Sequence, residues 1–224
     1  MPRPVVTGIK SLIDRRGKDL DRLDISWFGG EPLLALDVIT EISKHALDVA
    51  KTEGFMFTSG MTTNGYFLNQ DRFAQCLNHK IDFFQISLDG NPDDHNASRK
   101  LASGGGTFDR IWSNLIAMKA TRAEFVVLLR LHYTMENFIS IGQFARRVHD
   151  VFGDYQRFPV FSIMSLVSAV RMTKASRSFQ DRIKKISKPT FGMRQDFCGP
   201  LMKTRVTFVM LQREIHYLSG LLAG

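Results

Sequence analysis

The feature that most constrains the fold of this chain is a regular alternation of short apolar segments with longer segments of helical periodicity. The apolar segments contain many Val, Ile and Phe residues, which favour β-strands, and each is followed by apolar residues spaced three and four apart. Strands that alternate with helices are typical of β/α units, in which helices pack on a parallel sheet. The sequence therefore predicts an α/β fold with a parallel sheet.

The predicted units form an incomplete β/α barrel. The expected strands span residues 23–28, 55–62, 81–88, 124–133 and 158–166, and the expected helices span residues 5–17, 36–54, 69–80, 107–120 and 136–152. A basic helix is expected after the last strand. Because a helix precedes the first strand and the strands are fewer than in a complete barrel, we predict a partial (β/α)6 TIM-like barrel whose first strand is missing. The strand at 23–28 would then have an exposed edge, and we expect poor solubility.

Composition and cysteine content narrow the class of protein further. A chain of 224 residues with 44% hydrophobic content can bury the core of one sizeable domain. Its N-terminus has no apolar signal segment and its apolar runs are too short to cross a bilayer, so we expect a cytoplasmic protein without a membrane partner. Two cysteines, Cys76 and Cys198, cannot form a CxxC or CxxxCxxC metal motif. Cys76, in a helical segment, is expected to be a core residue.

The positive charge of the chain is concentrated in one segment. Eight basic residues and a single acid lie between Arg171 and Arg194, whereas the rest of the chain is close to neutral. Such a segment is either a solvated helix face or a docking surface for an acidic peptide or a nucleic acid. Because no aromatic interleaving or nucleic-acid-binding motif accompanies it, a nucleic-acid partner is not predicted. A nucleic-acid binder stays open as a third hypothesis that depends on net charge alone.

Three unusual segments follow the first three predicted strands: FGGEPL, TTNG and SLDG. In β/α barrels, ligand-binding residues gather where strands end and loops begin. Gly29 and Gly30 would let main-chain carbonyls approach a ligand closely, and Glu31 adds a negative charge beside them, which suits an ammonium group. The alternative is that the two glycines only make a tight strand-to-helix turn.

A hydroxyl and a guanidinium occur at the third of these strand ends. Ser87 ends the predicted strand and Arg99 follows in DGNPDDHNASR, so that together they suit a carboxylate. An ammonium site and a carboxylate site at one barrel mouth would bind the zwitterion of an amino acid. The alternative for Arg99 is a surface ion pair with Asp93 or Asp94. His95 lies between these acids and the arginine, but adjacent loop residues rarely converge on one metal ion, so a metal site is not predicted.

Four segments carry a resemblance to a known family: WFGGEPLL, TTNGYFL, QISLDGNPDDHNASR and GGGTFDRIWSNL. In this order and spacing they resemble radical S-adenosylmethionine (AdoMet) enzymes. The most similar subgroup includes anaerobic sulfatase-maturating enzymes and peptide-modifying maturases with a C-terminal SPASM domain. The resemblance extends from about Leu23 to Phe161.

The resemblance implies a cofactor, a reaction and a set of site residues. In this family the amino and carboxylate groups of AdoMet bind one iron of a [4Fe–4S] cluster, and a 5′-deoxyadenosyl radical abstracts hydrogen from a polypeptide side chain. It further implies that Gly29, Gly30 and Glu31 receive the methionyl ammonium, that Ser87 and Arg99 hold its carboxylate, and that Asn64 and Asp89 line the cavity. Arg130, His132 and Asn137 match a fourth strand end without an assigned role.

The sequence also departs from the family. The family's CxxxCxxC cluster loop precedes the GGE motif, whereas no cysteine precedes Cys76 in this chain. Near the C-terminus, Cys198 is a weak candidate for an auxiliary-cluster ligand, but Arg213 stands where the family has a turn glycine and Leu218 where it has a further cysteine. We therefore predict a partial barrel at residues 1–190 and a truncated SPASM-like segment at residues 191–224.

Two functional hypotheses follow from the resemblance and the departures. The first is a protein of the sulfatase- or peptide-maturase type, truncated and inactive alone, whose polypeptide substrate or leader peptide contacts the basic segment from Arg171 to Arg194. The second is a cluster-free remnant or partner subunit that binds AdoMet or a peptide. The missing cluster cysteines favour the second hypothesis for the isolated chain.

Overall fold

The computed structural model describes residues 1–133, 137–153, 156–164, 205–211 and 215–216. The basic segment from Arg171 to Arg194 and the residue Cys198 lie outside the described residues, as do Arg213 and Leu218. The predicted boundary between residues 190 and 191 lies outside them too, so the division into two domains stays a prediction.

The elements alternate along the chain as the sequence predicts. The helices are α1 (Arg3–Arg16), α2 (Leu36–Glu53), α3 (Gln70–Asn78), α4 (Pro92–Ser98), α5 (Phe108–Ala120) and α6 (Phe138–Phe152). The strands are β1 (Arg22–Phe28), β2 (Met56–Thr63), β3 (Ile81–Leu88), β4 (Val126–Tyr133), β5 (Val160–Met164), β6 (Arg205–Leu211) and β7 (Ile215–His216). Short 3₁₀ turns follow α1 and precede α2, at Gly17–Asp19 and Pro32–Ala35.

The strands form one sheet in the order β5-β4-β3-β2-β1-β6-β7. All neighbouring pairs are parallel except β6 with β7, which are antiparallel. The α/β fold with a parallel sheet is thus confirmed. The strand order is linear, and no pairing between described residues closes the sheet, so the partial barrel and the SPASM-like extension stay predictions.

The expectation of an exposed edge at the first strand is wrong. β6 pairs in parallel with the whole of β1, from Arg22 opposite Arg205 to Phe28 opposite Leu211. A segment that the sequence assigns to a separate C-terminal extension therefore continues the main sheet on the side where a strand was expected to be missing. The backbone groups of β1 are hydrogen-bonded on both sides, which removes the main reason to expect aggregation at this edge.

Alternate strand residues separate a helix-covered face from a less buried face. The core contains every second residue of the central strands, among them Leu23, Ile25 and Trp27 of β1 and Phe84, Ile86 and Leu88 of β3. The intervening residues, such as Ser26, Gln85 and Ser87, are less buried. Because side chains alternate across a strand, one face of the sheet packs against the helices, and the other mixes polar residues with exposed apolar ones such as Phe28 and Phe83.

Local capping residues define two helices near the candidate site. Asn69 precedes α3 and accepts a hydrogen bond from the Arg72 backbone nitrogen at 3.1 Å; Asn91 precedes α4 and accepts one from the Asp94 nitrogen at 3.2 Å. These side chains satisfy backbone donors that a helix start leaves without intrahelical partners. No helix in the described part of the chain combines the length and the apolar character that a bilayer crossing requires.

Candidate functional site

The candidate residues lie at one edge of the sheet. β1, β2, β3 and β4 are adjacent and parallel, so their carboxyl ends meet at the same edge. Gly29, Asn64 and Asp89 are the first residues after β1, β2 and β3, and Ser87 is the second-last residue of β3. The motifs that are far apart in the sequence are therefore brought to one edge of the structure, which is where α/β proteins bind ligands.

The two glycines after β1 have backbone conformations that L-amino acids rarely adopt. The φ angles of Gly29 and Gly30 are 102° and 50°. A side chain at either position would strain the turn, so the geometry accounts for both glycines as turn residues. The same property lets the turn bring its carbonyl groups close to a ligand, and the turn geometry is compatible with both interpretations.

Glu31 links the turn after β1 to the end of β2. Its buried carboxylate accepts hydrogen bonds from Thr63 Oγ1 at 2.6 Å, the Asn64 nitrogen at 2.9 Å and the Leu33 nitrogen at 3.1 Å. A carboxylate has about four acceptor positions, and three are used within the protein. Glu31 therefore fixes the position of the glycine turn, a role that the sequence did not suggest.

Asn64 begins a tight turn that is hydrogen-bonded to a residue of α5. Its Oδ1 accepts a hydrogen bond from the Tyr66 nitrogen at 2.8 Å. The buried Asn114 donates from Nδ2 to the carbonyl oxygens of Gly65 at 2.8 Å and Tyr66 at 3.2 Å. Asn114 was not predicted as a site residue, although a polar residue on the apolar face of a predicted helix is a signal that could have indicated it.

Arg99 and Asp89 form an ion pair. Arg99 Nε donates to Asp89 Oδ2 at 2.7 Å, and Ser98 Oγ donates to the same oxygen at 2.9 Å. The predicted alternative, a pair with Asp93 or Asp94, is not the one that forms. Burial raises the pKa of Asp89, but the hydrogen bonds from Arg99 and Ser98 and the nearby charges together lower it more, so the pKa lies below the usual aspartate value. Asp89 is thus an ionised counterion that orients Arg99.

His95 is a core residue of this loop. Its Nδ1 accepts from the Asp89 nitrogen at 3.3 Å, and its Nε2 lies 3.1 Å from Thr107 Oγ1, which itself donates to the Arg99 carbonyl. Burial lowers the pKa of His95 to about 4, so the ring is neutral at pH 7 and carries its proton on Nε2. Because both ring nitrogens have protein partners, His95 stabilises the loop from β3 to α5.

Three further polar residues belong to this edge: Arg130 and His132 lie near the C-terminal end of β4, and Asn137 precedes α6. Arg130 Nη2 donates to His132 Nε2 at 3.1 Å, and Asn137 Nδ2 donates to the Asp89 carbonyl at 2.8 Å. Burial lowers the pKa of His132; Asp89 opposes this shift, whereas Arg130 and Arg99 add to it. Among the described residues, two buried atoms at this edge have no hydrogen-bond partner, Asp89 Oδ1 and Arg130 Nε.

The residues that the structure describes do not fit a [4Fe–4S] cluster. Cys76 is fully buried in α3, and burial raises the pKa of its thiol to about 12, so it is a neutral core residue and not a thiolate ligand. No group of three His, Cys, Asp or Glu side chains in the described ranges could hold a metal ion. The polar groups without partners at the strand ends, in contrast, fit a ligand with hydrogen-bonding groups.

No protein-family model and no curated protein sequence matches the chain. Among solved structures, the native anaerobic sulfatase-maturating enzyme anSMEcpe with bound AdoMet and Kp18Cys peptide matches with a TM-score of 0.53 and 17% identity, over 69% of this chain and 41% of that chain. This enzyme is a radical AdoMet enzyme. The chain has its fold over the matched region. The resemblance that the motifs predict is therefore confirmed at the level of the fold.

Two further structures of anSMEcpe give the same result. The native enzyme with bound AdoMet matches with a TM-score of 0.51 and 16% identity, over 69% of this chain and 41% of that chain. The native enzyme with bound AdoMet and Cp18Cys peptide also has a TM-score of 0.51, at 17% identity, over 68% of this chain and 42% of that chain. The chain thus spans less than half of the length of the enzyme that it resembles.

Proposed function

We propose that this chain binds AdoMet at the carboxyl ends of β1 to β4, as a protein of the radical AdoMet type. The observation that carries the proposal is the convergence of the Gly29–Gly30 turn, Ser87 and the Asp89–Arg99 pair at one sheet edge. Of these residues, the family resemblance assigns Gly29, Gly30, Ser87 and Arg99 to the methionyl group and Asp89 to the lining of the cavity. The structures of anSMEcpe with bound AdoMet support AdoMet as the ligand of this fold.

Each residue has a distinct role in the proposed site. The carbonyl groups of the turn at Gly29 and Gly30 accept from the methionyl ammonium, and Glu31 keeps this turn in place. Ser87 and Arg99 hold the carboxylate. Because only Nε of Arg99 is bonded to Asp89, its terminal nitrogens are the ones that we assign to the ligand. Asn64 and Asp89 line the same edge.

Of the reaction that the resemblance implies, we propose only the binding of AdoMet for these residues alone. Hydrogen abstraction from a polypeptide side chain through a 5′-deoxyadenosyl radical requires a cluster held by thiolates. The 224 residues contain two cysteines, of which Cys76 is in the core, so we assign AdoMet binding and not radical formation to these residues alone. A polypeptide substrate or leader peptide is proposed because anSMEcpe has been solved with bound peptides.

The second candidate function is a cluster-free protein that binds AdoMet or a peptide and acts with a partner chain. The buried position of Cys76 favours it, because this thiol cannot contribute to a cluster without unfolding α3. The two candidates share the AdoMet site and differ in whether iron is bound.

Equilibrium dialysis of labelled AdoMet against the full chain tests the proposed site. We expect saturable binding, and a loss of affinity of about tenfold or more for Ser87→Ala and Arg99→Gln, because each removes a hydrogen bond to a charged group. Ser11→Ala and Arg146→Gln, which change exposed residues on α1 and α6, are the matched controls. Absence of binding by the unaltered chain, or equal binding by all variants, would refute the proposal.

A further inference from the structure

Arg130 has a hydrogen-bond donor for which the described structure provides no acceptor. Its Nη2 donates to His132 Nε2 at 3.1 Å, whereas its buried Nε has no partner in the part of the chain that the structure describes. A buried N–H without an acceptor is unfavourable, and in native proteins such a group has a specific structural or functional reason. The guanidinium is planar and its Nε and Nη groups bind a carboxylate in a fork geometry.

Arg130 is the direct neighbour of Ser87 in the sheet. The two residues are paired in the parallel register of β3 and β4, so their side chains extend from the same face of the sheet. Adjacent strands lie about 4.8 Å apart, a separation at which one carboxylate can contact both a hydroxyl and a guanidinium. Arg99 reaches the same edge from the C-terminal end of α4, where it is paired with Asp89.

The charges around Arg130 favour an anionic ligand. The Asp89 carboxylate is paired with Arg99, and His132 accepts the hydrogen bond from Arg130 through Nε2 and therefore has no proton on that nitrogen. None of the ion pairs between described residues includes Arg130. The edge formed by Asp89, Arg99, Arg130 and a neutral His132 thus has a net positive charge.

We propose that Arg130 and Ser87 together bind the carboxylate of the methionyl group, with Arg130 as a second guanidinium beside Arg99. The inference deepens the proposed function and rests on it. It assigns a role to a residue that the motifs left without one. It also explains why a buried Nε–H is tolerated at a strand end: the ligand carboxylate, and not a protein group, is its acceptor.

The test compares AdoMet with decarboxylated AdoMet, which lacks only the carboxylate. Isothermal titration of the full chain is expected to show tighter binding of AdoMet. In Arg130→Gln we expect the affinity for AdoMet to fall about tenfold to a hundredfold and the affinity for the decarboxylated analogue to stay within about twofold. Arg130→Lys, which keeps the positive charge but not the fork geometry, should lose less affinity for AdoMet than Arg130→Gln. Arg146→Gln is the control for removal of one exposed positive charge from α6.

The outcomes separate a ligand role from a structural one. Equal losses for both ligands in Arg130→Gln, or no loss, would overturn the inference. A fall in the thermal midpoint of the ligand-free variant that accounts for the lost binding would also overturn it, since the role would then be structural.

Titration with free methionine, followed through the NMR signals of the His132 ring, separates the inference from the proposed function. If the chain binds neither AdoMet nor its analogue, the proposed function fails. The inference then survives only if methionine shifts the His132 signals in the unaltered chain and not in Arg130→Gln; if methionine causes no such shift, the inference fails as well.

Discussion

Asp89 contacts four neighbours at the centre of the candidate site. Its Oδ2 accepts from Arg99 Nε and Ser98 Oγ, its backbone nitrogen donates to His95, and its carbonyl oxygen accepts from Asn137. The residue therefore orients a guanidinium and also joins the loop after β3 to the one after β4. A substitution that keeps the shape of Asp89 but removes its charge separates these two roles.

We predict that Asp89→Asn weakens AdoMet binding at pH 7 by about tenfold, because the charge that orients Arg99 is lost. The folded pKa of Asp89 lies below the unfolded value of about 3.9, so the ion pair is intact above that pH and is lost as the pH falls through the folded pKa. Binding by the unaltered chain should therefore fall in acid more steeply than binding by Asp89→Asn. Parallel pH profiles from dialysis would contradict this prediction.

The shifted pKa of His95 predicts that the free energy of unfolding depends on pH, in a higher pH range than that of the Asp89 ion pair. Its folded pKa of about 4 lies below the unfolded value of about 6.5, so the unfolded state binds more protons between these values. The free energy of unfolding should therefore decrease as the pH falls from about 6.5 to about 4, by on the order of 2 kcal/mol from this residue. Urea unfolding of the unaltered chain and His95→Gln at pH 7.5 and 4.5 measures the difference.

His95→Gln should be less stable at pH 7.5, by about 1–3 kcal/mol, because the backbone nitrogen of Asp89 loses its acceptor. The variant should also lose less stability on acidification. An unchanged pH slope in the variant would show that other groups cause the acid sensitivity.

At the scale of elements, β6 is the strand that completes the hydrogen bonding of β1. We predict that a chain ending at residue 204 aggregates or associates, because the removal of β6 exposes the backbone groups of β1. A chain ending at residue 216 keeps β6 and β7 and is the matched control. Light scattering coupled to size-exclusion chromatography measures the oligomeric state of each chain. If both chains are monomeric and have the same thermal midpoint, the pairing of β1 with β6 is contradicted.

The contact between α5 and the turn after β2 gives a second prediction at this scale. Asn114→Ala removes the donor to the carbonyl oxygens of Gly65 and Tyr66 and should lower the free energy of unfolding by about 1–3 kcal/mol. It should also weaken AdoMet binding, since the turn contains Asn64. Asn78→Ala, at an exposed position of α3, is the control and should change neither quantity measurably.

The sequence predicted the elements of the β/α units well because their signals are local. Strand β3 was expected at 81–88 and spans Ile81–Leu88, since Ile86 and Leu88 alternate with the polar Gln85 and Ser87. Helix α4 was missed, because its seven residues are mostly Asp, Asn and Ser, which also favour loops. The pairing of β6 with β1 could not be predicted, because partners distant in sequence leave no periodic signal in either strand.

For the whole molecule, the motifs predicted which residues lie at one edge but not how they are bonded. Ser87, Asn64 and Asp89 follow from the positions of strand ends. The ion pair of Asp89 with Arg99 depends on α4, and two of the three hydrogen bonds of Glu31, those from Thr63 and Asn64, depend on the adjacency of β1 and β2. Such contacts are set by tertiary packing, and residue spacing along the chain does not specify them.

Iron binding distinguishes the two proposed functions of the whole chain. After anaerobic reconstitution with iron and sulfide, we expect no stoichiometric cluster and no reductive cleavage of AdoMet, because Cys76 is a buried neutral thiol. Iron quantitation and an absorbance scan measure the result, with Cys76→Ala as the control for adventitious binding. About four irons per chain would instead indicate a cluster of the kind that radical AdoMet enzymes carry.

The pairing of β1 with β6 also has a consequence for the order of events during synthesis. β1 ends at Phe28 and its partner ends at Leu211, so nearly the whole chain must be translated before this pairing can form. At typical elongation rates, roughly 10–40 s separate the two strands as they leave the ribosome. During that interval the nascent sheet grows from β1 toward β5 with one edge of β1 unpaired, and this edge is where we expect a chaperone to bind the emerging chain.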